Sequence, residues 1–479
     1  MLHEQASQAS QKHSVTMKKP LLSFWNALLA RSGMVAYLPI IFVTILMFCG
    51  ASWQIFWPGT DAARYQCYAL VFWLGGNGLH LLPASQCSFL PHSAMVAAPF
   101  HVLPLEYPPL TLIIFSLSLL SPIPYYQLVF ALWMALTAVF IYWLLLRYGP
   151  RGSALAFALY VLVGAWATAE GRFDLVPAAL TLLCIIAAER KHWTLAYVAL
   201  AIATLLKIYP LLLAPALFIA EQFDAQRFYS PTGPMTPLSF PKELWKTLRG
   251  LPRWRWRNAF LFFGLIIGIT GVFALLDFHG AVINQFSYFA QRPIQIEATG
   301  SAILWLATHF GYPAHTIFTY GSLNIASRLD NRVAFLFDVL LVLGYAYTIL
   351  LQWRRKMDGL QAFIAILLVF IVTGKVFSPQ YLMWVMALIA YASALDLFWI
   401  LFWGTISLLT TIIYPYLYTR TPSIMQVQHV PYFIKTVTVR DALFMLITLF
   451  FLFNWFHVRR RKPLPTPQTG KETRPLYIE

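Results

Sequence analysis

Six short polar clusters interrupt an otherwise apolar chain of 479 residues. They are Gly59-Thr60-Asp61, Glu106-Tyr107-Pro108-Pro109, Glu170 to Asp174, Lys207-Ile208-Tyr209-Pro210, Arg292 to Glu297, and Lys375 to Tyr381. A carboxylate such as Asp61 can take the proton from an attacking hydroxyl, while Lys207, Arg292 and Lys375 can hold a departing phosphate. Transfer of a sugar from a lipid phosphate calls for that combination. Glu106, Tyr107, Asp174, Tyr209, Glu297, Gln380 and Tyr381 offer further hydrogen-bonding groups for a sugar or an acceptor. The chain has no Walker A loop, GxGxxG fingerprint, HExxH or GxSxG, which disfavours nucleotide-driven transport and common hydrolase chemistry.

Each candidate also has a plainer reading. Asp61 follows Pro58-Gly59-Thr60 and suits a helix N-cap. Asp174 lies beside Arg172 and suits a capping acid or a salt bridge as well as an acceptor contact. Glu106 can simply orient the Pro-Pro turn, and ranks below Asp61 as a base. Lys207 sits between apolar stretches, where an ammonium needs a partner or a route to water, and snorkelling to the interface is the alternative. Arg292 and Glu297 pair with each other by default, although the planar Arg fork also fits phosphate oxygens. Lys375 and Tyr381 suit an interfacial anchor. His80, His92, His101, His309 and His315 show no metal-ligand spacing with Cys or acids, and no metal is expected.

The elements that must position these residues are membrane helices. With 59% hydrophobic residues, 16% aromatics and only 11% charged residues, the chain is too apolar for a soluble protein of this length. Continuous apolar runs, without the alternation of barrel strands, indicate an all-α polytopic membrane protein. Spans are expected near 34–55, 125–147, 153–169, 173–189, 193–207, 208–221, 258–277, 333–353, 360–374, 381–395, 397–417 and 441–458. That makes about twelve. Two places remain open: 108–121 could add a short span, and 193–221 could be one kinked helix. Keeping Arg147, Arg151, Arg190 and Lys191 on the cytoplasmic side favours an interfacial 108–121 and a turn at Lys207, which Pro210 also favours.

This topology gives a cytoplasmic N-terminal tail (1–33), a transmembrane module (34–458) and a disordered cytoplasmic tail (459–479). The run near 34–55 reads as a retained anchor rather than a cleaved signal. External loops fall at about 56–124 and 278–332, and a basic cytoplasmic loop at about 222–257. The net charge of +16 is mostly a topology signal, and no nucleic-acid partner is expected. Lys242, Lys246, Arg249, Arg253, Arg255 and Arg257, interleaved with Trp245, Trp254 and Trp256, suit an interfacial segment on anionic lipid headgroups. Cys67 and Cys87 share the first external loop and either pair or stay reduced, whereas Cys49 and Cys184 fall in apolar helices as packing residues.

The order of an Asp after the first span, Tyr107-Pro108-Pro109-Leu110, Gly171-Arg172-Phe173-Asp174, Lys207-Ile208-Tyr209-Pro210 and Ser378-Pro379-Gln380-Tyr381-Leu382-Met383-Trp384 resembles the GT-C membrane glycosyltransferases. The nearest likeness is to glycosyltransferase family 87 (DUF2029), which includes polyprenyl-phosphate-mannose-dependent α-mannosyltransferases. It runs from about residue 35 to 400. The resemblance implies a GT-C-like bundle with a long first external loop. It also implies inverting transfer of a hexose, with mannose implied by the family alone, from a polyprenyl phosphate to a glycolipid, glycan or protein hydroxyl, outside the plasma membrane. The family's base is an acid in that loop, where Asp61 stands, and no cofactor is implied. The rival readings are a secondary transporter, although no matched halves are visible, and a lipid-linked sugar flippase.

Overall fold

The computed structural model describes residues 23–24, 26–29, 33–55, 57, 59–231, 236 and 238–453, without the side chains of 51, 53, 54 and 289. Most of both tails and the last residues of the final expected span lie outside these. The chain is mainly helical: α1 (Leu38–Ile55), α2 (Asp61–Leu74), α3 (Thr111–Leu117), α4 (Tyr126–Tyr148), α5 (Ser153–Gly164), α6 (Leu175–Glu189), α7 (Trp193–Leu206), α8 (Ala214–Asp224), α9 (Phe240–Leu248), α10 (Arg257–Leu276), α11 (Asn284–Gln291), α12 (Thr299–Thr308), α13 (Asp330–Trp353), α14 (Gly359–Thr373), α15 (Tyr381–Ser393), α16 (Leu397–Thr411) and α17 (Phe433–Leu452).

Four helical stretches are long and apolar enough to cross a membrane: Ile123–Tyr148, Arg257–Leu276, Asp330–Trp353 and Leu397–Arg420. Shorter apolar helices pack with them. Helices that are apolar all round belong inside a bundle, and α14 and α15 do so: Phe363, Leu367, Leu382 and Leu388 are fully enclosed. The opposite holds for α10, where Phe260 is 69% and Leu275 88% exposed, as a lipid-facing helix would be.

The two stretches that the sequence left open take their favoured forms, and one expected span begins elsewhere. The stretch 108–121 becomes the short α3 followed by a 3-10 turn, so the first loop is itself folded. At Lys207 the backbone is extended (φ −153°, ψ 137°), then Tyr209–Leu213 is 3-10, so 193–221 is broken where Pro210 removes a donor. The final helix starts at Phe433 rather than 441 because charged Lys435, Arg440 and Asp441 lie inside it; the last two are buried with partners.

The second expected loop is also structured. It holds α11, α12 and a two-stranded antiparallel hairpin, β1 (Ala314–Thr319) and β2 (Ser322–Ser327), an addition to the all-α expectation. Tyr320 and Gly321 form its tip with φ of +53° and +66°, the left-handed pair that a tight two-residue turn requires.

In the first loop, Cys67 and Cys87 are disulfide-bonded, joining α2 to the segment that follows it. Gln86 reinforces the join by donating to the Ala63 carbonyl at 3.1 Å and to Gln66 at 3.0 Å. Replacing both cysteines by serine opens a closure of 20 residues, an expected loss of about 3 kcal/mol. The measurement is the thermal-unfolding midpoint in detergent, which should fall; an unchanged midpoint would mean that the hydrogen bonds alone hold this segment.

Candidate active site

Thr60 caps α2: its backbone is extended and its hydroxyl accepts from the Ala63 N–H at 3.1 Å. The cap is therefore Thr60, not Asp61. Asp61 is left in the first turn, where the exposed N–H groups of a helix start favour negative charge. Its Oδ2 pairs with the Arg172 guanidinium, and its Oδ1 lies 3.6 Å from Arg64. Arg64 also reaches Glu106 at 2.6 Å. Burial opposes the charge on Arg172, but Asp61 and the neighbouring tyrosine oxygens together offset it and leave this guanidinium more firmly protonated than in water.

The chain of charges continues to a tyrosine. The Tyr288 hydroxyl lies 3.0 Å from a Glu106 oxygen and 2.8 Å from the Tyr320 carbonyl. It has one hydrogen and two acceptors in reach. The order Arg172, Asp61, Arg64, Glu106, Tyr288, Tyr320 thus links the turn after α5, the start of α2, the loop before α3, α11 and the hairpin tip.

These groups line a cavity of about 770 Å³. Asp61, Arg64, Glu106 and Arg172 supply its charges; Asn284, Ser287 and Gln291 supply uncharged polar groups; Phe318 and Tyr320 come from the hairpin. Gly321 packs so closely that a Cβ there would lie 3.1 Å from the Arg64 guanidinium.

Beside the cavity is a second, enclosed cluster. Lys207 Nζ is 2.5 Å from Asp174 Oδ1, and the Trp384 indole N–H donates to the same oxygen at 2.6 Å. Asp174 is fully buried. Aromatic faces surround the ammonium: Phe173 at 4.9 Å, Trp384 at 5.3 Å and Tyr107 at 5.7 Å from the ring centroids. Tyr209 and Tyr381 stack on Trp384 at 4.2 and 3.9 Å. Since Phe173 adjoins Arg172 in sequence, Lys207 and Asp61 lie in neighbouring parts of one polar region.

Of the candidates from sequence, Asp61 and Glu106 line the cavity, while Tyr107, Asp174, Lys207, Tyr209 and Tyr381 form the cluster beside it. Asp174 neither caps α6 nor pairs with Arg172; Lys207 takes it because Arg172 is committed to Asp61. Arg292 and Glu297 do not pair either. Arg292 donates to the Ser322 hydroxyl at 2.9 Å and lies over Tyr288. Glu297 is buried against Arg440 at 3.4 Å and accepts from Tyr418 at 2.8 Å. Gln380 is buried and bonded to Ser378, while the Lys375 carbonyl accepts from the Gln295 N–H at 2.8 Å. Arg292, Glu297, Lys375 and Gln380 are not among the cavity-lining residues.

Two residues that matter here, Arg64 and Arg172, were passed over as partners of Asp61. Arg64 had a usable local signal, standing one helical turn after Asp61. For Arg172 and Tyr288 the relation to the cavity is purely tertiary. The hairpin could have been found from Thr316 to Ser327, with β-branched residues flanking Tyr-Gly. Compared with known proteins, the chain matches no family model and no curated protein.

Two measurements probe this region. Asp174→Asn should strand the buried Lys207 charge and cost about 3–5 kcal/mol. The double variant Asp174→Asn/Lys207→Met should recover much of that in thermal unfolding, and equal losses in single and double variants would dismiss the pairing. Glu170, whose carboxyl oxygens are buried without a hydrogen-bond partner among the described residues, is pushed up to about 8 by burial. Its unfolded form ionises near 4.5. Between those pH values the unfolded chain binds fewer protons, so stability contributed by this group declines as pH rises and levels off above about 8. Glu170→Gln should flatten that slope in thermal-unfolding profiles.

Proposed function

We propose that the chain is an integral membrane glycosyltransferase that moves a hexose, with mannose as the first donor sugar to test, from a polyprenyl phosphate to a hydroxyl acceptor on a glycolipid, glycan or protein. The observation that carries this reading is a carboxylate, Asp61, lining a cavity of about 770 Å³ while held by two guanidiniums. In this reading α1, α4–α8, α10 and α13–α17 make twelve crossings. The alternation then brings 56–125, 165–174, 207–213, 277–329, 374–380 and 412–432 to the outer face of the plasma membrane. Every residue lining the cavity comes from those stretches.

The reaction follows from the charges. Asp61 and Glu106 pair with Arg64 and Arg172, and Asp174 with Lys207, while Arg292 is bonded to the Ser322 hydroxyl, so three carboxylates stand against four cations and one positive charge is in surplus for a lipid phosphodiester. Donor binding places the phosphate against Arg172 and Arg64 and draws them from Asp61, which makes its carboxylate free to accept a proton. The acceptor oxygen attacks the anomeric carbon, and the bond from that carbon to the phosphate oxygen breaks. The acceptor proton passes to Asp61; the electron pair leaves on the polyprenyl phosphate, where the guanidiniums stabilise it. Attack opposite the leaving group inverts the anomeric centre. Arg64, shared with Glu106, keeps the phosphate side and the base side in register.

Radiolabelled polyprenyl-phosphate-mannose, incubated with purified protein and candidate acceptors, tests the reading directly. Asp61→Asn should lower turnover by a factor of about 1,000 and leave donor binding intact, because it removes a competitor for Arg172. Normal transfer by that variant would reject Asp61 as the base.

A further inference from the structure

The stretch from Leu238 to Arg257 stands apart from the cavity, and its cations have almost no acids to meet. Lys242, Lys246, Arg249, Arg253, Arg255 and Arg257 are all exposed. The segment's one acid, Glu243, bonds Lys246 at 2.8 Å and accepts from Tyr229. Exposed apolar side chains lie among the cations: Leu238 is 93% and Trp245 57% exposed, with Leu244 and Leu248 partly so.

The segment is built, not loose. Gln222 clamps the Arg255 backbone from both sides, accepting its N–H at 2.7 Å and donating to its carbonyl at 3.2 Å. Arg227 donates to the Arg253 carbonyl at 2.9 Å. Trp254 and Trp256 pack on Phe218, and Phe240 on Trp353. These contacts consume backbone groups and aromatic faces and leave the charged ends outward. The segment also runs directly into Arg257–Leu276, one of the helices long and apolar enough to cross a membrane. A membrane crossing by that helix would put these cations at the level where a bilayer's headgroups begin.

We infer that this segment is a preformed docking surface for anionic phospholipid headgroups, with Leu238, Leu244, Trp245 and Leu248 entering the acyl boundary and the Lys and Arg side chains taking the phosphates. Charge complementarity selects the partner: a zwitterionic headgroup offsets its own phosphate, whereas a net-negative one does not. This surface is independent of the sugar chemistry.

Full-length protein in phosphatidylcholine micelles, titrated with a photo-crosslinkable phosphatidylglycerol, tests the assignment. Crosslinks should map to 238–257, exceed those of the equivalent phosphatidylcholine probe about tenfold, and weaken with salt. Lys242→Gln/Lys246→Gln/Arg249→Gln/Arg253→Gln should remove that preference while keeping the unfolding midpoint in pure phosphatidylcholine. Glu243→Gln, which deletes the only acid, should strengthen it, so the proposal stays testable even if the quadruple variant fails to fold. Equal labelling by both lipids, phosphatidylglycerol crosslinks mapping elsewhere, or an RNA oligonucleotide that displaces the lipid at equal charge would each overturn it.

Discussion

The ion pair between Arg172 and Asp61 sets the geometry on which the polar region depends. In a chain with only 11% charged residues, a charge enclosed among apolar helices must find an opposite charge or a route to water. Arg172 meets that demand by joining the turn after α5 to the start of α2. Once it is committed, Asp174 must look elsewhere, and Lys207 supplies the answer. Arg440 and Glu297 repeat the solution between α17 and the segment before α12, where Tyr418 adds a hydrogen bond. Each pair joins segments distant in sequence, so these few contacts fix the relative placement of helices whose apolar faces alone would tolerate sliding.

Aromatic packing makes that placement stiff. Tyr65 stacks on Phe115 with centroids 4.2 Å apart, and Phe173 meets Tyr65, Tyr107 and Phe115 edge-on. This cluster lies beneath Asp61 and Arg172 and connects them to the cage around Lys207. Water is excluded on that side, so the charges act through a medium of lower polarity than bulk solvent, and each interaction is correspondingly stronger. The open side, toward Asn284 and Gln291, has uncharged groups instead. The asymmetry separates a charged wall from an uncharged polar one.

Much of the helical framework was legible because apolar run length is a local property. The expected spans at 360–374 and 333–353 differ from α14 and α13 by no more than three residues at either end, and the break at Lys207 followed from Pro210 and charge balance. Asp61, Glu106, Tyr107, Asp174, Lys207 and Tyr209 were legible as polar interruptions. Their partners were not. Nothing within a window of neighbouring residues tells Asp174 to choose Lys207 over adjacent Arg172, or Glu297 to choose Arg440 over Arg292. The same limit displaced the start of α17: Arg440 and Asp441 look like a boundary until their buried partners are known. The hairpin at 314–327 was a different failure, since its alternation and Tyr-Gly tip are local signals.

The hairpin tip ties the wall of the cavity to its charges. Gly321 rests close against Arg64, where an added Cβ would make the guanidinium give way slightly, and its φ of +66° disfavours a side chain in any case. A larger residue would strain this left-handed turn and press on Arg64, disturbing the tip whose Tyr320 carbonyl meets the Tyr288 hydroxyl. That hydroxyl would then settle on Glu106 alone, altering how the Glu106 charge is shared with Arg64. Cavity wall and electrostatics are thus geared together through one residue that owes its fit to having no side chain at all.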